Sequence, residues 1–191
     1  MRYNEVSGYK FFPYYNKKIS ISNKEDKPLR FQIPRMYMPF GISGFVPKSG
    51  PTKWNIDFSM KDVQGFLDFV RIFESSVIEE VSKQSVDIFG HQKSVEELVP
   101  MFNSSIKEDS SGNWESKFRV KIDENADIFN QNEIKFEEEF TNNMFSRHTG
   151  LAIVEVTSVY FINKQFGVTW KVYQLKTYEP QMLKGFAFRD V

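Results

Sequence analysis

Two neighbouring runs near the C-terminus, residues 151–162 and 168–178, constrain the fold of this chain most strongly. Both runs are long for a strand, rich in β-branched and aromatic residues, and free of proline. The polar segment 163–167 lies between them, and its Gly167 can take the positive φ that a hairpin bulge needs. We therefore expect a long antiparallel hairpin with a bulge at Gly167.

The two runs differ in how their side chains alternate. The first is apolar on nearly both faces, which is typical of a strand that is covered on each side. The second directs Val168, Trp170 and Val172 to one face, while Lys171 and Tyr173 point to the other. This pattern predicts that Trp170 belongs to the core and that a cation and an aromatic ring share the opposite face.

Composition limits the classes of protein to which the chain can belong. Its 191 residues favour one domain, and the 40% that are hydrophobic are enough for a substantial core. Lys plus Arg and Asp plus Glu both number 25, so attraction to a polyanion has to come from a local patch. The absence of cysteine excludes disulfides and thiolate chemistry and fits a reducing compartment. We find no signal peptide or membrane-spanning run, so we expect a soluble intracellular protein without a membrane partner.

The rest of the chain reads mostly as strands that are interrupted by helices. Apolar residues recur at three- and four-residue spacing from Val63 to Val81, which predicts a long amphipathic helix. Ser94 and Glu97 form a capping box that predicts a second, short helix from Val95. The predicted strands cover residues 18–22, 29–33, 54–60, 117–122 and 134–136. This order indicates a mainly β protein with a helical insert and excludes a doubly wound sheet.

Residues that could carry catalysis or bind a metal do not form a motif. His91 and His148 lie far apart in the sequence, and there is no phosphate-binding loop, dinucleotide fingerprint or nucleophile elbow. Residues 123–127 begin like a calcium loop, but Ile128 and Ile134 occupy the positions of its glycine and its bidentate glutamate. We therefore expect a protein that is not an enzyme and has no cofactor or metal.

Positively charged and aromatic side chains are instead predicted to share surfaces. Lys117, Arg119 and Lys121 alternate with apolar residues, so their charges line up about 7 Å apart, which resembles the phosphate spacing of a single strand. Single-stranded nucleic acid is bound by cations that contact phosphates and by rings on which bases stack. A Lys/Arg stripe on an exposed strand also serves solubility and edge protection, so spacing alone leaves both interpretations open. The predicted nucleic-acid-binding residues are Arg35, Tyr37, Lys53, Trp54, Lys117, Arg119, Lys121, Lys171 and Tyr173.

Several short motifs point to a known family. Residues 37–43 read Tyr-Met-Pro-Phe-Gly-Ile-Ser, and residues 54–58 read Trp-Asn-Ile-Asp-Phe. Further matches follow in the same order at residues 69–74, 87–90, 117–122 and 166–176. Together they resemble the single-stranded DNA-binding proteins of large nucleocytoplasmic DNA viruses. The resemblance implies an OB-like antiparallel β-barrel, with one long and one short helix, that coats single-stranded DNA during viral DNA replication, recombination or repair.

We expect three segments: an N-terminal arm (1–28), an OB-like nucleic-acid-binding domain (29–178) and a C-terminal tail (179–191). The long helix follows the strand of Trp54, which fits an OB layout only if the N-terminal region supplies two earlier strands. The tail is not the acidic peptide with which many such proteins recruit replication partners, so recruitment by the tail is in question.

Two functions from different classes stay open at this point. The first is binding of single-stranded DNA, or of RNA, with replication proteins or a second copy of the chain as protein partners. Its expected location is the replication compartment of a host cell or the virion. The second is a structural or interaction protein, such as a virion component or assembly adaptor, that docks other proteins through sheet edges and the aromatic arm. Quenching of tryptophan fluorescence by oligo-dT would separate the two.

Overall fold

The computed structural model describes residues 1–180. Eleven strands belong to one sheet, and three helices lie between the sixth and seventh strands. No helix within residues 1–180 is both long enough and apolar enough to span a bilayer. The strands are β1 (Tyr9–Phe11), β2 (Lys18–Asn23), β3 (Leu29–Gln32), β4 (Met36–Met38), β5 (Ile42–Phe45), β6 (Lys53–Ser59), β7 (Ile106–Lys107), β8 (Lys117–Ile122), β9 (Asp127–Phe129), β10 (His148–Ile162) and β11 (Gln165–Tyr178). The helices are α1 (Gln64–Lys83), α2 (Ser85–Phe89) and α3 (Val95–Leu98).

The predicted antiparallel hairpin is confirmed and consists of β10 and β11. The bulge predicted at Gly167 is wrong, because the turn consists of Asn163 and Lys164, whose φ angles of 50° and 64° match a two-residue type I′ turn. Gly167 instead lies inside β11, directly opposite Tyr160. A Cβ atom on Gly167 would lie 2.7 Å from the Tyr160 hydroxyl oxygen, so close packing of the two strands requires glycine.

The sheet is open and mixed rather than a purely antiparallel barrel. Its hydrogen-bonded order is β1-β2-β10-β11-β8-β6-β5, and β10 also pairs with β3 and β4 along its length. β11 pairs in parallel with β8 and β9, whereas the other ladders are antiparallel. β8 is antiparallel to β6, and in this orientation it runs in the same direction as β11. Within residues 1–180, no ladder joins β1 to β5, the two ends of the order.

The core lies between α1 and the inner face of the sheet. Helix α1 confirms the predicted amphipathic helix, and its buried stripe includes Phe66 and Phe73. Phe66 packs edge-on against Phe118 with ring centroids 5.3 Å apart, and Phe73 packs edge-on against Trp170 at the same distance. Trp170 and Phe118 are 2% and 0% exposed, so the predicted core position of Trp170 is confirmed and Phe118 lies in the same core. Burial of this ring cluster on one face leaves the other face of the same strands to solvent.

Residues 1–28 contribute directly to this architecture. They supply β1 and β2, and β2 pairs with β10 in the main sheet. Ile19 and Ile21 are buried in the shared core, and Tyr9 packs edge-on against Phe73 of α1 at 4.7 Å. These residues therefore extend the sheet and contact the same helix as the strands that follow.

Several shorter elements also bear on the predictions. Helix α3 begins at Val95 behind a complete capping box of Ser94 and Glu97, as predicted. The strand predicted at 134–136 is wrong, because only an isolated bridge from Lys135 to Phe129 occurs there. Strand β9 was not predicted, because its segment is rich in turn-forming residues; it forms a parallel ladder with β11. The prediction that the first run is covered on both faces is also wrong, because alternate side chains of β10 are only half-buried.

Candidate nucleic-acid interface

The outer face of the sheet, opposite α1, carries a row of polar and charged side chains across neighbouring strands. Arg30 of β3 faces Glu155 of β10, and Glu155 faces Lys171 of β11. Lys171 in turn faces Lys121 of β8, which faces Asn55 of β6. Side chains at facing positions lie on the same side of a sheet, so five strands present one continuous polar surface.

Part of this surface forms a groove of about 680 Å³. We call it the cation groove and define it by the five predicted residues that line it: Lys53, Trp54, Arg119, Lys121 and Lys171. Phe45, Asn55, Asp123 and Thr169 line it as well. The groove therefore brings together residues from β6, β8 and β11 that are as far as 118 positions apart in the sequence, from Lys53 to Lys171.

Two of the groove cations are paired with carboxylates. The Arg119 guanidinium donates two hydrogen bonds to Asp57, at 2.7 and 2.8 Å, and these bonds raise the pKa of Arg119. The Lys171 ammonium lies 2.6 Å from a carboxylate oxygen of Asp123. Burial alone would raise the pKa of Asp123, but the hydrogen bond from Lys171 and the Asn125 backbone N–H lower it overall. Arg119 and Lys171 are therefore partly neutralised and held in place.

The other two groove cations are unpaired. Within residues 1–180, neither Lys53 nor Lys121 forms an ion pair. Burial against the groove wall lowers the pKa of Lys121, and the positive charge of Lys53 lowers it further. Glu124 also lines the groove, and the Lys121 ammonium lies 5.8 Å from the centre of the Tyr160 ring. Two ammonium groups that repel each other and form no ion pair favour an anionic ligand.

Aromatic rings stand beside these cations. Trp54 is half-buried on the inner side of β6, covers Gly44 and packs edge-on against Phe140 at 6.0 Å. Phe45 was not predicted, yet it is 63% exposed and faces Lys53 from β5. Its position could have been found from alternation, since Ile42 is buried and Phe45 lies three residues further along the same strand.

The four remaining predicted residues lie outside the cation groove. Arg35 and Tyr37 line a separate depression of about 490 Å³, and the Arg35 guanidinium lies 3.8 Å from the centre of the Tyr178 ring. The Lys117 ammonium lies 5.8 Å from the ring of Phe40. Tyr173 is on the outer face as predicted, but the Arg30 guanidinium stacks on its ring at 3.8 Å. None of these four residues lines the groove.

Comparisons with known proteins show which solved structures have a similar fold. Neither a protein-family model nor a curated protein matches the chain. Among solved structures, it is similar to a single-stranded DNA-binding protein from bacteriophage Enc34 in complex with ssDNA, with 11% identity and a TM-score of 0.53 over 92% of this chain and 99% of that one. It is also similar to gp2.5, a single-stranded DNA-binding protein encoded by bacteriophage T7, with 9% identity and a TM-score of 0.53 over 85% of this chain and 98% of that one. The chain thus has the fold of single-stranded DNA-binding proteins that were solved from bacteriophages.

Proposed function

We propose that this protein binds single-stranded DNA without catalysis and that the strand lies in the cation groove. The observation that carries the proposal is that Lys53 and Lys121, which form no ion pair within residues 1–180, line the same groove as the exposed Phe45 and the half-buried Trp54. Phosphates would contact the two ammonium groups, and bases would stack on Phe45 and against Trp54. Arg119 and Lys171 would contact the same strand while keeping their carboxylate partners.

The architecture supports an OB-like class for the open sheet. β4 pairs with β10, whereas β5, which follows it after residues 39–41, pairs with β6. β4 also lies next to β6, so the sheet curls until its two sides approach each other at this link. The curled sheet with a helical insert is the arrangement that we propose as a variant of the OB barrel.

The biological role extends this proposal. We infer that the protein coats single-stranded DNA during viral DNA replication, recombination or repair, in the replication compartment of a host cell. The short motifs favour an origin among large nucleocytoplasmic DNA viruses, whereas the two similar solved structures are bacteriophage proteins. The viral lineage, RNA as a ligand and replication proteins as partners stay predictions.

Arg35, Tyr37, Lys117 and Tyr173 form a proposed second set of contacts outside the groove. Three of them already contact other side chains: Arg35 contacts Tyr178, Lys117 contacts Phe40, and Tyr173 contacts Arg30. A nucleic acid would have to exchange those contacts for its own, so we expect them to contribute less than Lys53 and Lys121.

The test is the affinity for fluorescein-labelled oligo-dT, measured by anisotropy at low salt. The double variant Lys53→Glu/Lys121→Glu should weaken binding by more than about ten-fold, because it replaces two phosphate contacts with repulsion. The control Lys27→Glu/Lys83→Glu makes the same change in charge in a turn and at the end of α1, and should stay within about two-fold of the wild type. Equal losses in both variants would mean that total charge, and not the groove, determines binding.

A structural or interaction protein is the second candidate, because β5 ends the sheet with exposed apolar side chains. Phe45 and Val46 are 63% and 75% exposed at this edge, and the edge of a terminal strand can dock another protein. Residues 142–144 already hydrogen-bond to Ile42 and Gly44, so the stretch from Phe45 onward is the part that we expect to dock. No change in anisotropy and no quenching of tryptophan fluorescence by oligo-dT at low salt would favour this function.

A further inference from the structure

A small cavity lies beside the cation groove, at the point where β8 and β11 separate. These two strands pair in parallel only at Lys121 and Lys171. Beyond that pair, residues 103–105 fill the gap: the Asn103 N–H donates to the Phe166 carbonyl at 2.7 Å, and the Arg119 N–H donates to the Ser105 carbonyl at 2.9 Å. The gap retains a cavity of about 110 Å³, room for roughly three water molecules.

Two of the residues that line this cavity, Trp170 and Ser105, carry buried donors without partners. The indole Nε1–H of Trp170 and the hydroxyl of Ser105 have no hydrogen-bond partner, although the two residues are only 2% and 7% exposed. A buried polar atom without a partner carries a desolvation cost, and an indole N–H can only donate. Both atoms therefore lack a hydrogen-bond acceptor, and both of their residues line the same small cavity.

The charged side chains that line the cavity are all positive. Lys107, Arg119 and Lys121 line the cavity, and no carboxylate does. The Lys107 ammonium is held by neutral acceptors only, the Asn103 side chain at 2.8 Å and the Ser104 carbonyl at 2.6 Å. Burial lowers the pKa of Lys107, and the nearby Arg119 charge adds to this effect. Glu74 lies behind the wall, where it accepts hydrogen bonds from the Ser104 hydroxyl and the Ser105 N–H.

We propose that this cavity binds one phosphoryl group, with Trp170 and Ser105 as hydrogen-bond donors and Lys107, Arg119 and Lys121 as its charge partners. The cavity and the cation groove share Asn55, Arg119 and Lys121. The inference deepens the proposed function and rests on it, because a strand in the groove would deliver the phosphate. That phosphate is either an internal phosphodiester or the phosphate at a strand end.

The first measurement detects the anion without any DNA. The chain has three tryptophans, so the indole region of a ¹H–¹⁵N spectrum has three signals, and Trp170→Phe identifies the one from Trp170. Inorganic phosphate should shift that signal in a saturable way, whereas sodium chloride at equal ionic strength should not. A Trp170 signal that responds equally to both salts would overturn the proposal.

The second measurement uses Ser105→Ala, which removes one donor. Thermal stability of the unliganded variant should equal or exceed that of the wild type, because an unsatisfied hydroxyl is removed. Affinity for oligo-dT should fall about ten-fold. The matched control Ser75→Ala, on the exposed side of α1, should leave the DNA affinity unchanged and raise stability slightly through helix propensity. Unchanged DNA affinity of Ser105→Ala, for oligonucleotides with and without a 5′-phosphate, would also overturn the proposal.

The two oligonucleotides distinguish the sources of the phosphate. Equal wild-type affinity for both, with a ten-fold loss for both in Ser105→Ala, identifies an internal phosphodiester. Tighter binding of the 5′-phosphorylated oligonucleotide, with this advantage lost in Ser105→Ala, identifies a strand end. If the wild type binds neither oligonucleotide while inorganic phosphate shifts the Trp170 signal, the proposed function fails and the anion cavity stands.

Discussion

At the residue scale, the cations of the groove differ in whether they form an ion pair with a carboxylate. Arg119 and Lys171 have the alternation that predicted a binding stripe, but each pairs with a carboxylate of a neighbouring strand or loop. Lys53 and Lys121 have the same alternation and no such partner within residues 1–180. The sequence predicts which side chains share a face, whereas cross-strand register decides which charges are already neutralised.

The lowered pKa of Lys121 predicts how binding depends on pH. Its ammonium loses its proton below the ordinary value of 10.5, so affinity for a polyanion should begin to fall as pH rises through that lowered pKa. Lys121→Arg should keep its affinity over the same range, because arginine stays charged. Anisotropy with oligo-dA from about pH 7 to about pH 10 measures this, since adenine does not titrate there. Lys27→Arg is the control and should follow the wild type.

The same group should change folding stability with the opposite sign. Between the lowered folded pKa and the unfolded value of 10.5, the unfolded chain binds more protons at Lys121 than the folded protein does. The contribution of Lys121 to the free energy of unfolding therefore rises with pH across that window, while DNA affinity falls. Urea denaturation of the wild type and Lys121→Gln over this range measures the difference. A contribution that decreases with pH would contradict the assigned cause, which is burial.

At the element scale, the long hairpin organises the sheet. β10 pairs with β2, β3, β4 and β11, and β11 pairs with β8 and β9. Its tight two-residue turn lets the strands start in register at Ile162 and Gln165. Gly167 then allows the Tyr160 side chain and the Asn103 carbonyl to approach the backbone of β11.

Gly167→Ala should therefore destabilise the protein. The new methyl group would lie 2.7 Å from the Tyr160 hydroxyl oxygen and 2.8 Å from the Asn103 backbone oxygen. The expected loss is about 1–3 kcal/mol in the free energy of unfolding, measured by urea denaturation. Gly65→Ala in α1 is the contrasting variant: its Cβ atom would lie 3.2 Å from the Tyr3 hydroxyl oxygen, the end of a side chain that can shift, so the change in the free energy of unfolding should stay within about 1 kcal/mol. Equal changes in the free energy of unfolding for both variants would mean that close packing at Gly167 does not exclude a side chain.

Local patterns predicted the regular elements of this fold well. The hairpin, α1, α3 and β8 are confirmed, because each has an uninterrupted period or a capping box. β9 was missed because a parallel ladder with β11 overrides its turn-rich composition. The parallel pairing of β8 depends on a contact between residues 50 positions apart, Lys121 and Lys171, which no local period contains. The groove and the cavity beside it both arise from that contact.

At the scale of the whole molecule, equal numbers of positive and negative residues mean that binding has to be local. Single-stranded DNA gives a salt slope of about −0.7 per neutralised phosphate. Contacts from the three or four groove cations therefore predict a slope of about −2 to −3 in a plot of log affinity against log salt concentration.

The groove variant makes this prediction sharper. Lys53→Glu/Lys121→Glu removes two contacts and should reduce the magnitude of the slope by about 1.4, whereas Lys27→Glu/Lys83→Glu should leave it unchanged. Anisotropy titrations over a series of sodium chloride concentrations measure both slopes. A wild-type slope steeper than about −5 would indicate that many cations outside the groove take part.

The central position of β10 has a consequence for how a cell makes this protein. β1 to β4 are synthesised first, and β2 can pair with β1 at once, but β3 and β4 pair with a strand only in residues 148–162. Until then, Leu29 and Phe31, which are 1% exposed in the finished sheet, have no strand to cover them. Complete pairing of the sheet therefore has to wait until residues 148–162 have been synthesised, as expected for a fold dominated by pairings between distant segments.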